Sequence, residues 1–308
     1  MFLATLEDLK KYVIVSNQFT MPNIEVVKKD IISVYFEKWI PKSLITAIEG
    51  YKADANAIKQ ESFVLFENAL AKLCINQYLV SGQISISDGA ITRTESEHEK
   101  TAYKNQINEN RDQYLDNGLN AIEDLFNLMD ANTSLFAGWS TSVMKVRSQK
   151  LLIQSATEFD LIEMLFRKNA TYFQLLSSQE TCIDLYLRAR FSTTLIDEIV
   201  ANASLIPEKK QFRIYLQKAL ANFTLMSAIK DKIGTLTPSG FKIFEQDKDT
   251  ASTLETSASN EAFSAAIRAR EDVAKRYMNL ANSYMYSNKS AFGLTDDETP
   301  LTKTANWM

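Results

Sequence analysis

The sequence predicts a mainly α-helical protein made of two tandem, duplicated helical-bundle units, each with a β-hairpin insertion. Three observations carry this. Only eight glycines and five prolines occur in 308 residues, which leaves little material for tight turns and favours long helices. Apolar residues recur at steps of three and four along much of the chain, the spacing of one helix face. The stretch "ENALAKLCINQYLVSGQISISDGAITR", residues 67–93, has a partner about 150 residues further on, "QKALANFTLMSAIKDKIGTLTPSGFKI", residues 217–243.

The elements follow in order. "DIISVYFEKWIPKSLITAIE", residues 30–49, lies on "TCIDLYLRARFSTTLIDEIV", residues 181–200. Ile32 meets Ile183, Tyr35 meets Tyr186, Leu44 meets Leu195, Ile45 meets Ile196 and Ile48 meets Ile199, so both copies keep one buried helical stripe. Pro41 opens a new helix, because proline fits the first turn. Next comes a helix in which Ala69, Leu70 and Ala71 match Ala219, Leu220 and Ala221; small Ala beside large Leu predicts close helix packing. The period then changes. Ile84 and Ile86 alternate, Asp88-Gly89 supplies a turn and Ile91 and Arg93 resume, the signature of a hairpin. "GTLTPSGFKIF" repeats that plan with Leu236, Gly240, Phe241 and Ile243.

A long helix closes each unit, through Leu119, Ile122, Phe126 and Met129 in the first and Ala274, Met278, Ala281 and Met285 in the second. The exits "NTSLF", 132–136, and "NKSAF", 288–292, also correspond. The expected organisation is therefore a first unit at 1–136, a packed junction at 137–155, a second unit at 156–292 and a tail at 293–308. The junction is too apolar for a loose linker.

With 34 basic and 38 acidic side chains, the net charge of -4 argues against a chain built to neutralise phosphates. The start lacks the pattern of a signal peptide, and no apolar run approaches the length of a membrane span; a soluble, unsecreted protein is expected, with no membrane contact. Cys74 and Cys182 stand opposite Thr224 and Ile31, so two buried, reduced thiols are expected. Chemistry is nearly silent. His98 is the only histidine, and Glu95-x-x-His98 occurs once where di-iron bundles need that motif twice. No phosphate-binding loop or nucleophile triad can be assembled. No catalytic residue, metal site or cofactor is expected.

Trp39 and Trp139 adjoin apolar stripes and are expected in the core. Trp307 lies in the acidic tail "GLTDDETPLTKTANWM", where with Leu301 it supplies an apolar anchor. Short hairpins need a second surface to pack on. The candidate partner contacts are thus Ile84, Ile86, Gly89, Ile91, Leu236, Gly240, Phe241, Leu301 and Trp307.

The helical unit, the "ISDGAITR" hairpin, the "KTAYKNQINENRDQYLDNGLNAIEDLFNLMDAN" helix and the following "FAGW" resemble a family of virion structural proteins encoded in phages and prophages of Bacteroidetes. The resemblance covers most of the chain and implies a head-to-tail connector, or adaptor: a ring under the portal. Its implied partners are copies of itself and portal or tail proteins of the virion, with DNA at most passing through the channel, and its implied location is the virion, assembled in the host cytoplasm. This chain departs from the simplest connectors in being duplicated. Two other readings stay open: a cytoplasmic helical adaptor that binds a partner protein, and an enzyme using carboxylates.

Overall fold

A computed structural model describes residues 2–15, 21–81, 84–87, 90–93, 100–231, 234–237, 240–243 and 257–295. The protein is mainly helical. It divides into two compact units, Met1–Lys145 and Val146–Met308, and the division falls inside the stretch 137–155.

The first unit begins with a short arm and helix α1, Leu6–Lys10, whose N-cap Thr5 accepts a hydrogen bond from the Asp8 N–H. Helix α2, Met21–Ile31, runs directly into one wider π-helical turn, Ile32–Phe36. That turn is closed by the Glu37 N–H donating to the Ile32 carbonyl, five residues back, at 2.9 Å. Pro41 then caps α3, Lys42–Glu49. Helix α4, Ala57–Ser81, follows; the Asn56 side chain satisfies its first donors, accepting from Ile58 N at 2.9 Å and Lys59 N at 3.2 Å, the ordinary work of an N-cap asparagine. Two four-residue strands come next, β1 Ile84–Ser87 and β2 Ala90–Arg93, paired antiparallel with Ile86 opposite Ile91. Helix α5, Lys100–Ala131, closes the bundle, with α6, Ala137–Ser140, after it and α7, Val143–Ser148, at the boundary.

The second unit repeats this order. Helix α8, Ala156–Asp160, is capped by Ser155, which accepts from Glu158 N. Helix α9, Lys168–Cys182, passes into a π-helical turn at Ile183–Leu187, closed by Arg188 N donating to Ile183 O at 2.9 Å. Helix α10, Thr193–Ala201, starts at Ser192, whose backbone angles of -60° and 143° reproduce the -57° and 141° of Pro41. Helix α11, Pro207–Lys230, precedes β3, Gly234–Thr237, and β4, Gly240–Ile243, with Leu236 opposite Phe241. Helix α12, Ser257–Ser287, ends in a 3-10 turn at Lys289–Phe292.

In each unit the core surrounds one helix. Helix α4 packs on α5 and α2, and α11 packs on α12 and α9. Phe66, Ala69, Leu70, Ala71 and Leu73 are buried in the first unit, and Leu216, Ala219, Leu220, Ala221 and Phe223 at the same places in the second. The matched Ala-Leu-Ala helix is therefore in the core of each unit; of the stripe at 30–49 and 181–200, Leu44, Ile45, Ile48, Ile183, Ile196 and Ile199 are buried, while Ile32, Tyr35, Tyr186 and Leu195 are half-buried. Phe66 stacks on Phe2 and Phe36, with centroids 4.2 and 4.1 Å away. Trp39 and Trp139 are buried, each ring beside Phe126, and the Trp139 indole donates to Asp130 at 2.6 Å. Even the exits coincide: Asn132 donates from its side chain to Leu128 O at 2.9 Å, and Asn288 to Tyr284 O at 2.8 Å.

Helices α4 and α5 approach closely at Gly118, where a Cβ would lie 2.8 Å from Leu73 Cγ and 3.0 Å from its Cδ2. Glycine inside a helix normally invites a stabilising replacement. Here Gly118→Val is expected to destabilise the first unit by about 1–3 kcal/mol through overpacking. Urea unfolding followed by the fluorescence of Trp39 and Trp139 measures this; an unchanged or raised midpoint would show that the helices have room to part.

Candidate functional site

Buried polar groups come first, because burial and perturbed titration often mark chemistry. In the first unit, Glu67 on α4 is buried and accepts from the backbone N–H of Leu3 at 2.9 Å and from the Tyr12 hydroxyl at 3.1 Å. Burial and the adjacent Glu67 charge push the Tyr12 phenol well above its usual range. Asp8 sits beside it, bonded to Lys11 at 2.8 Å and Lys52 at 3.1 Å. The Lys11 hydrogen bond, helped by Lys52 and Thr5, holds the Asp8 carboxyl well below the ordinary carboxylate range. Lys28, also buried, donates to the Phe2 carbonyl at 3.3 Å and to Glu25 at 2.7 Å. Glu67 ties the amino-terminal arm to α4, Lys28 ties it to α2, and Asp8 ties it to Lys52, which follows α3. Their capacities are spent on backbone and on each other, so the cluster is a latch.

The second unit builds the same latch with other residues. Gln217, at the place of Glu67, donates to the Leu152 carbonyl at 3.1 Å, and Arg213 donates to it at 2.7 Å. Arg213 also pairs with Glu158 at 3.0 Å, and Tyr172 donates to Ile153 O at 2.7 Å. Elsewhere the chemistry stays thin. Burial pushes the Cys74 and Cys182 thiols up to about 12, so both are protonated, unreactive sulfhydryls at neutral pH. Among the described residues no three His, Cys, Asp or Glu side chains group as metal ligands. Glu95 and His98 lie outside the described residues. The shallow depression formed by Asp272, Lys275, Arg276, Asn279, Leu280 and Ser283 lies along α12 alone, so no second element brings opposing groups to it.

The surface is more informative. Val34, at the centre of the first π-helical turn, is 58% exposed, and Leu185, at the centre of the second, is 61% exposed. Ile14 and Met164, which follow α1 and α8 at matching distances, are both exposed, as are Val64 on α4 and Ile214 on α11. Three apolar positions are thus left in solvent in both copies. A π turn sacrifices regular helical hydrogen bonding and is found often at functional sites. Here it occurs in both units at the same point, each time presenting an aliphatic side chain outward.

Of the contacts expected from sequence, Ile84, Ile86 and Ile91 fall on β1 and β2, and Leu236, Gly240 and Phe241 on β3 and β4. Strand β4 runs beside α9 of its own unit, which gives that strand pair an internal neighbour. Gly89, Leu301 and Trp307 lie outside the described residues. Val34, Leu185, Ile14 and Met164 do not stand out as surface residues in the sequence, since each has a buried apolar residue within two positions: Phe36, Ile183 and Leu187, Val13, and Leu165. The arm was readable: Thr5-x-x-Asp8 and Ser155-x-x-Glu158 are matching helix-start signatures.

A family model described as a family of unknown function (DUF6712) matches residues 31–147 and 160–305. The chain belongs to this family. The two DUF6712 segments are consistent with the two-unit repeat, and each takes in a π-helical turn, a core helix and a closing helix. No curated protein and no solved structure matches the chain. No helix among the described residues is long and apolar enough to cross a membrane.

The latch gives a pH test. Because folding lowers the pKa of Asp8, its contribution is full above the ordinary carboxylate range and is lost as pH falls through that range towards the folded value. Asp8→Asn is expected to cost about 1–3 kcal/mol at pH 7, scaled down from a buried charged hydrogen bond because both lysines are half exposed. The gap between wild type and variant should narrow below about pH 4. Denaturant titrations at several pH values read it out; a constant gap would remove Asp8 ionisation from the latch.

Proposed function

We propose that the protein is a bacteriophage virion structural protein, a head-to-tail connector or neck adaptor that forms a ring between portal and tail. The observation that carries this reading is the paired exposure of Val34 and Leu185 on matching π turns. A chain offering one apolar contact twice is suited to repeated contacts with neighbours, as a ring requires. The resemblance of its hairpin and closing helix to Bacteroidetes phage structural proteins supports the same reading.

In this reading each strand pair is an inserted hairpin, through Ile84, Ile86, Gly89 and Ile91 in one unit and Leu236, Gly240 and Phe241 in the other, reaching a neighbouring subunit or a portal or tail protein. Leu301 and Trp307 are offered to the next ring. The channel wall is acidic or neutral, since a basic wall would hold the duplex by its phosphates; a net charge of -4 agrees with that.

Light scattering on the purified chain, alone and with portal protein, tests the proposal. Wild type is expected as a closed ring or in a stable complex with the portal. Val34→Asp combined with Leu185→Asp is expected to abolish that assembly while leaving far-ultraviolet circular dichroism unchanged, because both side chains are largely exposed in the single chain. A wild-type monomer that ignores the portal would sink the connector reading, and capture of a different partner would favour a helical adaptor.

A further inference from the structure

The start of α11 breaks a local rule. Ile206 occupies the N-cap position and its side chain makes no capping hydrogen bond, although that position favours Asn, Asp, Ser or Thr. The first unit obeys the rule with Asn56 at the same place. Ile206 is 43% exposed and Ile214 is 42% exposed, with exposed Lys210 between them. Spacings of four put the three side chains on one helix face. The first unit has Asn56, Gln60 and Val64 in these positions, so a full Ile-Lys-Ile stripe belongs only to the unit that leads into the tail.

The tail starts beside the same helix but on its opposite, buried face, since Phe212 lies about 200° around α11 from Lys210. The Phe292 ring packs edge-on against Phe212 of α11, centroids 5.1 Å apart. The chain then turns at Gly293, whose φ of 69° suits glycine, and Leu294 N donates to Lys289 O at 3.0 Å. From Leu294, an extended chain reaches Leu301 after about 23 Å, enough to pass round a helix about 10–12 Å across. The chemistry is complementary: Asp296, Asp297 and Glu298 are followed by Leu301 and Trp307. Neighbouring cations are already engaged, Lys209 with Glu198 at 2.6 Å and Arg213 with Glu158 at 3.0 Å. Among the described residues Lys210 has no ion-pair partner.

We propose that in the unassembled chain the stripe Ile206, Lys210 and Ile214 is the seat of the protein's own C-terminal segment, residues 296–308. The acidic residues approach Lys210, and Leu301 and Trp307 cover the two isoleucines. The seat goes beyond the ring reading and does not depend on it, since it concerns a single chain.

Zero-length carbodiimide coupling of the full chain, in an equal mixture of unlabelled and 15N-labelled protein, tests it by mass spectrometry. The expected product joins Lys210 to Asp296, Asp297 or Glu298 within one isotopic population. In Ile206→Asn combined with Ile214→Ser, its yield should fall about tenfold, the effect of losing roughly one buried apolar side chain of docking free energy. The asparagine is the residue the first unit already carries, and circular dichroism checks that α11 persists. If that variant loses helix, Lys210→Glu alters only an exposed side chain, and trypsin should then cut after Lys303 about tenfold faster than in wild type. Links between the two isotopic populations would put the tail on a second copy and overturn the proposal. So would the absence of the link, or a yield and a cleavage rate that the substitutions leave unchanged.

Discussion

Each unit depends on one constraint: its central helix is enclosed on most sides, yet carries a polar side chain in its middle. Phe63, Phe66, Ala69, Leu70, Leu73, Cys74 and Ile75 are all buried on α4, more than a single stripe can hold. Enclosure requires α2, α5 and the arm together. Glu67 lies among these residues, and a buried carboxylate without partners would cost several kcal/mol. The backbone of the arm meets that need, so the arm is held in place by the same group that would otherwise disrupt the core. Leu3 accepts a left-handed φ of 46° to bring its N–H to Glu67, a small local cost repaid by its buried side chain.

The two copies solve this problem with different chemistry. The first uses charge: Glu67 accepts from Leu3 N and Tyr12, Lys28 donates to Phe2 O and Glu25, and Asp8 pairs with Lys11 and Lys52. The second keeps one ion pair, Arg213 with Glu158, and places neutral Gln217 and Gln179 where the first has Glu67 and Lys28. What the copies hold in common is the geometry of the arm over the helix.

Much of this architecture was legible from matched apolar positions. Ala69-Leu70-Ala71 against Ala219-Leu220-Ala221 located the core helix because close helix packing tolerates little change in side-chain volume. Length differences fall between elements, so the repeat survives in sequence although its register shifts from one helix to the next. The arm shows in sequence only through its paired helix starts, Thr5 to Asp8 and Ser155 to Glu158, because the two copies share few apolar identities there. The exposed aliphatics of the π turns were hidden for a different reason. One extra residue in a turn rotates the side chains that follow by about 100°, so a period of three and four carried through the π turn does not follow which side chains face solvent. The hairpin and tail contacts were argued from turn chemistry and anchor residues alone, and those features do not specify what surface an apolar side chain meets.

The latch joins residues 64 apart in sequence in the first unit and 65 apart in the second, and the helices that enclose each core lie within their own unit. During synthesis, the first unit has all of its own packing partners once Lys145 has left the ribosome. At ordinary elongation rates, the remaining 163 residues of the second unit take roughly ten to thirty seconds more. Small helical bundles fold in far less time. Two near-copies in one chain risk exchanging α4 for α11, the misassembly characteristic of repeat proteins. Vectorial synthesis removes the competitor: when α11 emerges, the place beside α5 is already taken.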